Sequence, residues 1–340
     1  MKKTLFGLFA VLLLCSHDMF LKLDDYFLAP QEEASIQLFN GTFDKSENVI
    51  DRNRMLDVSL VGNGTRTAVD STQWTERDSI TFLNFTTGNP GTWVAGVSTR
   101  PRDIALDAEA FNSYLEHDGV LDMLAYRKEN NLMEQDAVEK YSKHVKTLFQ
   151  VGDTVSTDWK TVLGYPIEFV PMGNPYAVHP GHSLSVQLLF DGKPLADQSV
   201  YLGMDTSGDT EATNATHSHD GGKPHTHGNE TPDHTHTTPN ELRTNADGMI
   251  NFELSSKGVY HLRTIYMTES EEEGLTHESN WATLTFAVGD GIANHSHEND
   301  GTHEHGDETH THDDGFPSYI FWIASILVLG ILFFVFTRKK

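Results

Sequence analysis

The stretch N-A-D-G-M-I-N-F-E-L-S-S-K-G-V-Y-H-L-R-T-I-Y at residues 245–266 decides the fold. Asn245-Ala246-Asp247-Gly248 reads as a tight connection, with glycine free to take the positive φ that a hairpin demands. Two short apolar runs follow, Met249 to Leu254 and Val259 to Tyr266, and runs of that length between turn residues are strands. The same spacing recurs outward at Ile167 to Val170, Ser183 to Phe190, Ser199 to Leu202 and Trp281 to Val288, with Asp191-Gly192-Lys193-Pro194 as another turn. A β-sandwich over residues 166–289 is expected, interrupted by an insertion at 205–239.

Residues 17–160 repeat the pattern at Met19 to Leu23, Ile36 to Phe39, Leu56 to Leu60, Ile80 to Phe85 and Trp93 to Val97. Two helical interludes are expected there. One starts at Asp107, a cap for Ala108, Phe111 and Leu115; the other runs from Met133 to Phe149, with Ala137, Tyr141, Val145 and Leu148 on a face that covers the sheet. The expected fold class is therefore mainly β: two β-sandwich domains, Ig-like or transthyretin-like, with a few helices in the first, plus one C-terminal transmembrane helix.

Both ends read as targeting segments. Residues 1–16 carry Lys2 and Lys3, an apolar run from Leu5 to Leu14 and then Ser16, the layout of a secretory signal peptide cleaved before His17. A lipoprotein signal using Cys15 is the alternative, against which stands the bulky Leu14. Residues 317–337 contain an uncharged apolar stretch from Tyr319 to Phe336, long enough to span a bilayer, and Arg338, Lys339 and Lys340 form a basic tail for the cytoplasmic side. The body is expected outside the cytoplasm, periplasmic or at the cell surface, on a single-pass anchor.

Forty-nine acidic against 24 basic residues give a formal charge of −25, which repels nucleic acid and draws cations. The single cysteine, Cys15, lies in the signal segment, so disulfides and thiolate ligands are excluded from the mature chain and metal ligands must be His, Asp or Glu. The insertion and a linker at 290–315 are poor in large apolar residues and cannot bury enough surface to offset the entropy of ordering.

Those two segments hold six His-x-His pairs: His217 with His219, His225 with His227, His234 with His236, His295 with His297, His303 with His305, and His310 with His312. In an extended chain alternate residues project to one side about 7 Å apart, so both imidazoles reach one ion. Neighbouring pairs, or Asp220, Asp233, Glu298, Glu304 and Asp307, complete a four-ligand shell. Neutral imidazole suits divalent Ni, Co, Zn or Cu. A solvated linker needs no such pairing.

Several phrases carry a family resemblance: His17-Asp18-Met19-Phe20-Leu21, Tyr26-Phe27-Leu28, Leu38-Phe39-Asn40-Gly41-Thr42-Phe43, Thr99-Arg100-Pro101 and Tyr141-Ser142-Lys143-His144-Val145-Lys146. Val151-Gly152-Asp153, Asn174-Pro175-Tyr176-Ala177 and Trp281-Ala282-Thr283-Leu284-Thr285-Phe286 continue it. They resemble a bacterial periplasmic family of unassigned function, domain of unknown function 4198, associated with cobalt or nickel uptake. The resemblance implies a periplasmic metal role and a metal transporter as partner. Phe190 to Thr264 is also similar to a transthyretin-like or carboxypeptidase-regulatory-like sandwich, through Gly192-Lys193-Pro194-Leu195, Thr244, Asp247-Gly248 and Gly258-Val259-Tyr260.

Cleavage after Ser16 makes His17 the first residue, whose amine and imidazole can chelate one metal ion, with Asp18 pointing the other way in a strand. His117, His144, His179, His182, His261 and His277 are scattered and read as structural. The sequence shows no Gly-x-Ser-x-Gly, His-Glu-x-x-His or phosphate-loop signature, and we expect no enzyme. The expected function is a membrane-anchored extracytoplasmic binding protein for divalent transition metals, in uptake or homeostasis. A β-sandwich module that binds a protein or glycan, with the histidine tracts as spacers, is the alternative.

Overall fold

A computed structural model describes residues 17–205 and 240–289. The expected signal segment, both histidine tracts, the expected membrane helix and the basic tail lie outside the described residues, among which no helix is long and apolar enough to cross a membrane. In chain order the first part comprises β1 (Asp18–Lys22), β2 (Phe27–Leu28), β3 (Glu33–Gly41), β4 (Met55–Gly62), β5 (Thr65–Ala68), β6 (Trp74–Arg77), β7 (Ile80–Thr86), β8 (Gly91–Thr99) and β9 (Arg102–Leu106). Helices α1 (Ala108–His117) and α2 (Leu121–Glu129) precede β10 (Ala137–Val151). Then come β11 (Ile167–Pro171), β12 (Ser183–Phe190), β13 (Lys193–Pro194), β14 (Ser199–Asp205), β15 (Asn240–Arg243), β16 (Met249–Glu253), β17 (Gly258–Glu269) and β18 (His277–Val288).

These strands build a ten-stranded sheet, in the order β15-β14-β17-β18-β10-β8-β4-β5 with β2 and β9 also on β10, flanked by two four-stranded sheets. The fold is mainly β and of sandwich type. One flanking sheet (β1-β3-β7-β6) lies over the face of β10 and β18 that carries Thr283 and Thr285, whose hydroxyls donate to the carbonyls of Met19 (2.8 Å) and Leu21. The other flanking sheet holds β11, β12, β13 and β16 and meets the opposite face, where the Lys146 ammonium donates to the Phe169 carbonyl at 2.9 Å.

The expected helix from Met133 to Phe149 is corrected: Ala137–Val151 is a strand, and the longest of the described ones. Its edges take four partners. β18 runs parallel beside Glu139–Thr147 and β2 beside Gln150 and Val151, while β9 and β8 run antiparallel along Ala137–Tyr141 and Leu148–Val151. Pro101 separates β9 from β8, and there the Thr99 hydroxyl accepts the Lys143 amide at 2.9 Å. All ten residues from Ser142 to Val151 are buried, so neither face shows polar alternation, and the 4-4-3 spacing of Ala137, Tyr141, Val145 and Leu148 imitates a helix by coincidence.

The expected junction at 160–166 does not divide the packing. β10 from one side pairs with β18 from the other, and a single apolar cluster holds Met19, Leu148, Leu188 and Phe286. A central strand needs hydrogen-bonding partners on both edges; the first segment supplies β9 and β8 along one edge of β10 but only the two residues of β2 on the other, which β18 completes. Asp107 caps α1 as expected, accepting from the Ala110 amide at 2.8 Å. Asp191 and Gly192, at φ 48° and 72°, turn the hairpin between β12 and β13. Gly248 does take a positive φ, 69°, but the turn it closes joins β15 to β16 in different sheets, so it is a crossing and not a hairpin.

Lys146 and Glu168, each 1% exposed, form a buried ion pair at 3.0 Å. Glu168 also accepts the amides of Leu163 and Gly164, both at 2.9 Å, and Lys146 also donates to the carbonyls of Thr161 and Phe169. Removing one partner strands the other charge in the core, which costs roughly 3–5 kcal/mol, whereas removing both charges costs far less. Lys146→Met is therefore expected to lower unfolding stability by about that amount, and Lys146→Met with Glu168→Gln to recover much of it, as measured by urea denaturation.

Candidate functional site

In a strand, alternate residues share a face, so Glu139, Tyr141 and Lys143 of β10 stand in one row. Trp281 joins them from β18, in register with Lys143. Over this row the helices and the β1-β3-β7-β6 sheet leave a polar cavity. Tyr114 of α1 closes one side, His17 and Asn40 the other, and Arg54 and Arg102 stand with them along the lining.

Glu139 is 2% exposed and its carboxylate accepts from Tyr114 Oη at 3.2 Å and from Ser279 Oγ, which in turn accepts from Trp281 Nε1 at 3.0 Å. Burial pushes the Glu139 carboxyl up to about 7, although these hydrogen bonds and Lys143 oppose the rise. Lys143 donates to the His17 carbonyl and to Asn40 Oδ1 (3.3 Å), and its ammonium lies 4.9 Å from the Trp281 ring centre. Burial lowers the Lys143 ammonium to about 8, with Asp18 the strongest opposing charge. Arg54 lies over Tyr141 at 5.0 Å, donating to its hydroxyl (3.2 Å) and to the Arg100 carbonyl (3.3 Å).

Behind this row, Arg263 pairs with Asp18 at 3.3 Å and donates to the Asp118 carbonyl at 2.8 Å. Burial raises the Asp118 carboxyl to about 8, helped by Asp18. Charges that would repel one another in isolation are thus interleaved by sign.

Of the expected metal ligands, His17 alone falls among the described residues. Its Nδ1 stands 3.3 Å from the Glu47 carboxylate, and its buried Nε2 has no hydrogen-bond partner. Asp18 is committed to Arg263. Among the described residues no three His, Cys, Asp or Glu side chains gather as a metal site. His217, His219, His225, His227, His234, His236, His295, His297, His303, His305, His310 and His312 lie outside the described residues.

The remaining histidines are local. His144, on β10 and not on a helix, shares hydrogen bonds with Ser98 (2.9 Å) and Ser142 (3.0 Å), and burial lowers it to about 4. His261 stacks on Phe43 at 3.9 Å, and burial lowers it to about 3. His277 meets Thr276 at 2.7 Å. The sequence reading passed over Glu139, Tyr141, Lys143 and Arg54 as a site. A helix sets residues two apart on opposite sides, so only the strand assignment brings the row together.

Residues 14–268 match the family model for a domain of unknown function, DUF4198. No curated protein matches. Among solved structures, a DUF4785 family protein from Legionella pneumophila is similar at 9% identity and a TM-score of 0.21, over 54% of this chain and 37% of that one. An elastase-activated alpha-2-macroglobulin from Escherichia coli follows at 11% identity and 0.19, over 81% and 20%, and the D0-D1 domain of intimin at 11% and 0.17, over 79% and 97%. The chain thus spans about a third and a fifth of the first two proteins. TM-scores this low add nothing to the fold described above.

Because Glu139 titrates higher when folded than its ordinary value of 4.5, its contribution to stability is complete below that value and is lost as pH rises through about 7. Glu139→Gln, which keeps an acceptor for Tyr114 and Ser279, is expected to flatten this loss. Unfolding free energies of the two proteins, from urea denaturation, should diverge between pH 4.5 and 7, by on the order of 3 kcal/mol at full ionisation.

Proposed function

The chain belongs to the DUF4198 family, and from that premise we propose that it is a membrane-anchored extracytoplasmic binding protein for divalent transition metals, auxiliary to uptake or homeostasis. The metal is Ni, Co, Zn or Cu, the collectors are the two histidine tracts, and the role is binding without catalysis. The finer expectations join this reading: Ig-like or transthyretin-like packing, a helix at 317–337 as the anchor, a cytoplasmic basic tail, and a metal transporter as the recipient.

The observation that carries it is where the tracts attach. In the ten-stranded sheet Asp205, the last described residue before the first tract, is in register with Val259, which is in register with Ala287, near the end of β18. The second tract follows β18, so both tracts leave the sheet at the same end with only β17 between their attachment strands. Two strand spacings are on the order of 10 Å. The first tract also returns there, since Asn240 pairs with Leu202. Six His-x-His pairs are thereby tethered to one locus, which raises their effective concentration for a shared ion. The acidic surface, at −25 overall, adds a long-range attraction for cations.

Calorimetric titration of the purified chain with Ni²⁺, Co²⁺, Zn²⁺ and Cu²⁺ tests the proposal, beside variants lacking residues 206–239, 290–315 or both. Binding is expected to weaken on either deletion and to vanish in the double deletion. It should also fall off as pH drops below about 6.5, where imidazoles protonate. Metal binding untouched by the double deletion would sink the tract reading, and no binding by any variant would leave the β-rich body as a partner-recognition module.

A further inference from the structure

The cavity over Glu139, Tyr141 and Lys143 has a volume of about 210 Å³. At ~30 Å³ per liquid water it has the room of about seven waters, the size of a small amino or hydroxy acid. Its lining sets three cations, Arg54, Arg102 and Lys143, against two carboxyl groups, Asp51 and Glu139. This runs against a chain in which acidic residues outnumber basic ones by 49 to 24. A recessed site with a net positive balance, walled by low-dielectric protein, draws anions.

The cations also hold donors in surplus. Lys143 gives protons to two neutral oxygens, of His17 and Asn40, and an ammonium has three to give. Arg54 likewise donates to two neutral oxygens, of Tyr141 and Arg100, while its Nε–H is buried without an acceptor. Both groups border the Tyr141 ring, Arg54 at 5.0 Å and Lys143 at 5.9 Å from its centre. A second buried atom without a partner, Nε2, sits on His17, a residue of the same lining. In the tautomer whose Nδ1 proton is turned to Glu47, Nε2 is the acceptor.

We infer that this cavity binds a small organic carboxylate, its oxygens held by Arg54 and Lys143, with a hydroxyl or amino group of the same molecule donating to His17. A guanidinium fork matches a planar carboxylate, and a bond between ions is stronger than the neutral ones these cations now make. Asp51 and Glu139 in the same lining disfavour an anion of higher charge such as phosphate. The histidine tracts take no part, so the inference stands or falls separately from metal collection.

The full chain, freed of metal with a chelator and dialysed, is titrated with L-lactate, L-alanine, succinate and inorganic phosphate, and followed by tryptophan fluorescence and calorimetry. Lactate or alanine is expected to saturate with a Kd below about 1 mM, with phosphate showing no saturation. Arg54→Met should weaken that binding by about tenfold or more, and Arg54→Lys by less, because it keeps the charge and loses the fork. Melting of both ligand-free variants should stay within about 4 °C of the parent, so that lost binding is not lost folding. Absence of saturation by all three carboxylates, phosphate binding as tight as theirs, or carboxylate binding unchanged in Arg54→Met would each overturn the inference.

Discussion

A strand buried on both faces has to satisfy every polar group it carries inside the protein, and β10 carries Glu139, Lys143, His144, Lys146, Thr147 and Gln150. Much of the rest of the structure follows from how that is done. Gln150 donates to the carbonyls of Val151, Gly152 and Thr154, which folds the chain back as it leaves the strand. Its Oε1 accepts from Thr92, whose hydroxyl accepts from Asn174, so one side chain fixes β8 and the turn after β11. Thr147 donates to the Thr285 carbonyl of β18. Polar groups in a core are costly unless paired, and for that reason they specify which layer meets which with more precision than apolar packing alone.

Lys143 and Lys146 make the contrast between structure and site concrete. Both are almost fully buried on the same strand, three residues apart and so on opposite faces. Lys146 meets a carboxylate that has its own backbone donors, and with two carbonyls its three protons are spent. Lys143 meets two neutral oxygens beside a cavity. One arrangement is a closed network that joins two sheets. The other leaves capacity unused beside a cavity, and such residual capacity is what separates a candidate site from a brace.

The same burial explains what was legible in the sequence. Strands with one polar face, such as Ile80–Thr86 and Met249–Glu253, show alternation and were found, as were the Asp107 cap and the Asp191-Gly192 hairpin, which depend on local chemistry alone. β10 has no solvent face over most of its length, so its period was hidden and its polar residues read as a helix exterior. The site vanished with it, because Glu139, Tyr141 and Lys143 form a row only at period two. Arg54 and His17 reach that row across 85 or more residues of sequence, a proximity that only strand pairing supplies. The Asn245–Gly248 turn was read correctly in its backbone and wrongly in its topology, since a tight turn does not reveal which sheet its strands join.

The two proposed loci share one pair of parallel strands. The cavity lies beside Trp281, and β18 ends at Val288, where the second tract begins; seven residues at ~3.3 Å each put about 23 Å between them along the strand. Every residue of that span is buried and paired with β17, and Trp281 to Thr285 are paired with β10 on the other edge as well. Coupling between distant sites requires an element with two arrangements that each ligand favours differently, and a central strand locked in this way offers only one. A register slip would turn Thr283 and Thr285 away from the carbonyls of Met19 and Leu21 and expose Leu284 and Phe286 to a new environment. The ladder that sets Asp205 and the end of β18 beside each other therefore also isolates that end of the sheet from the cavity, and occupancy of one proposed locus should leave affinity at the other unchanged.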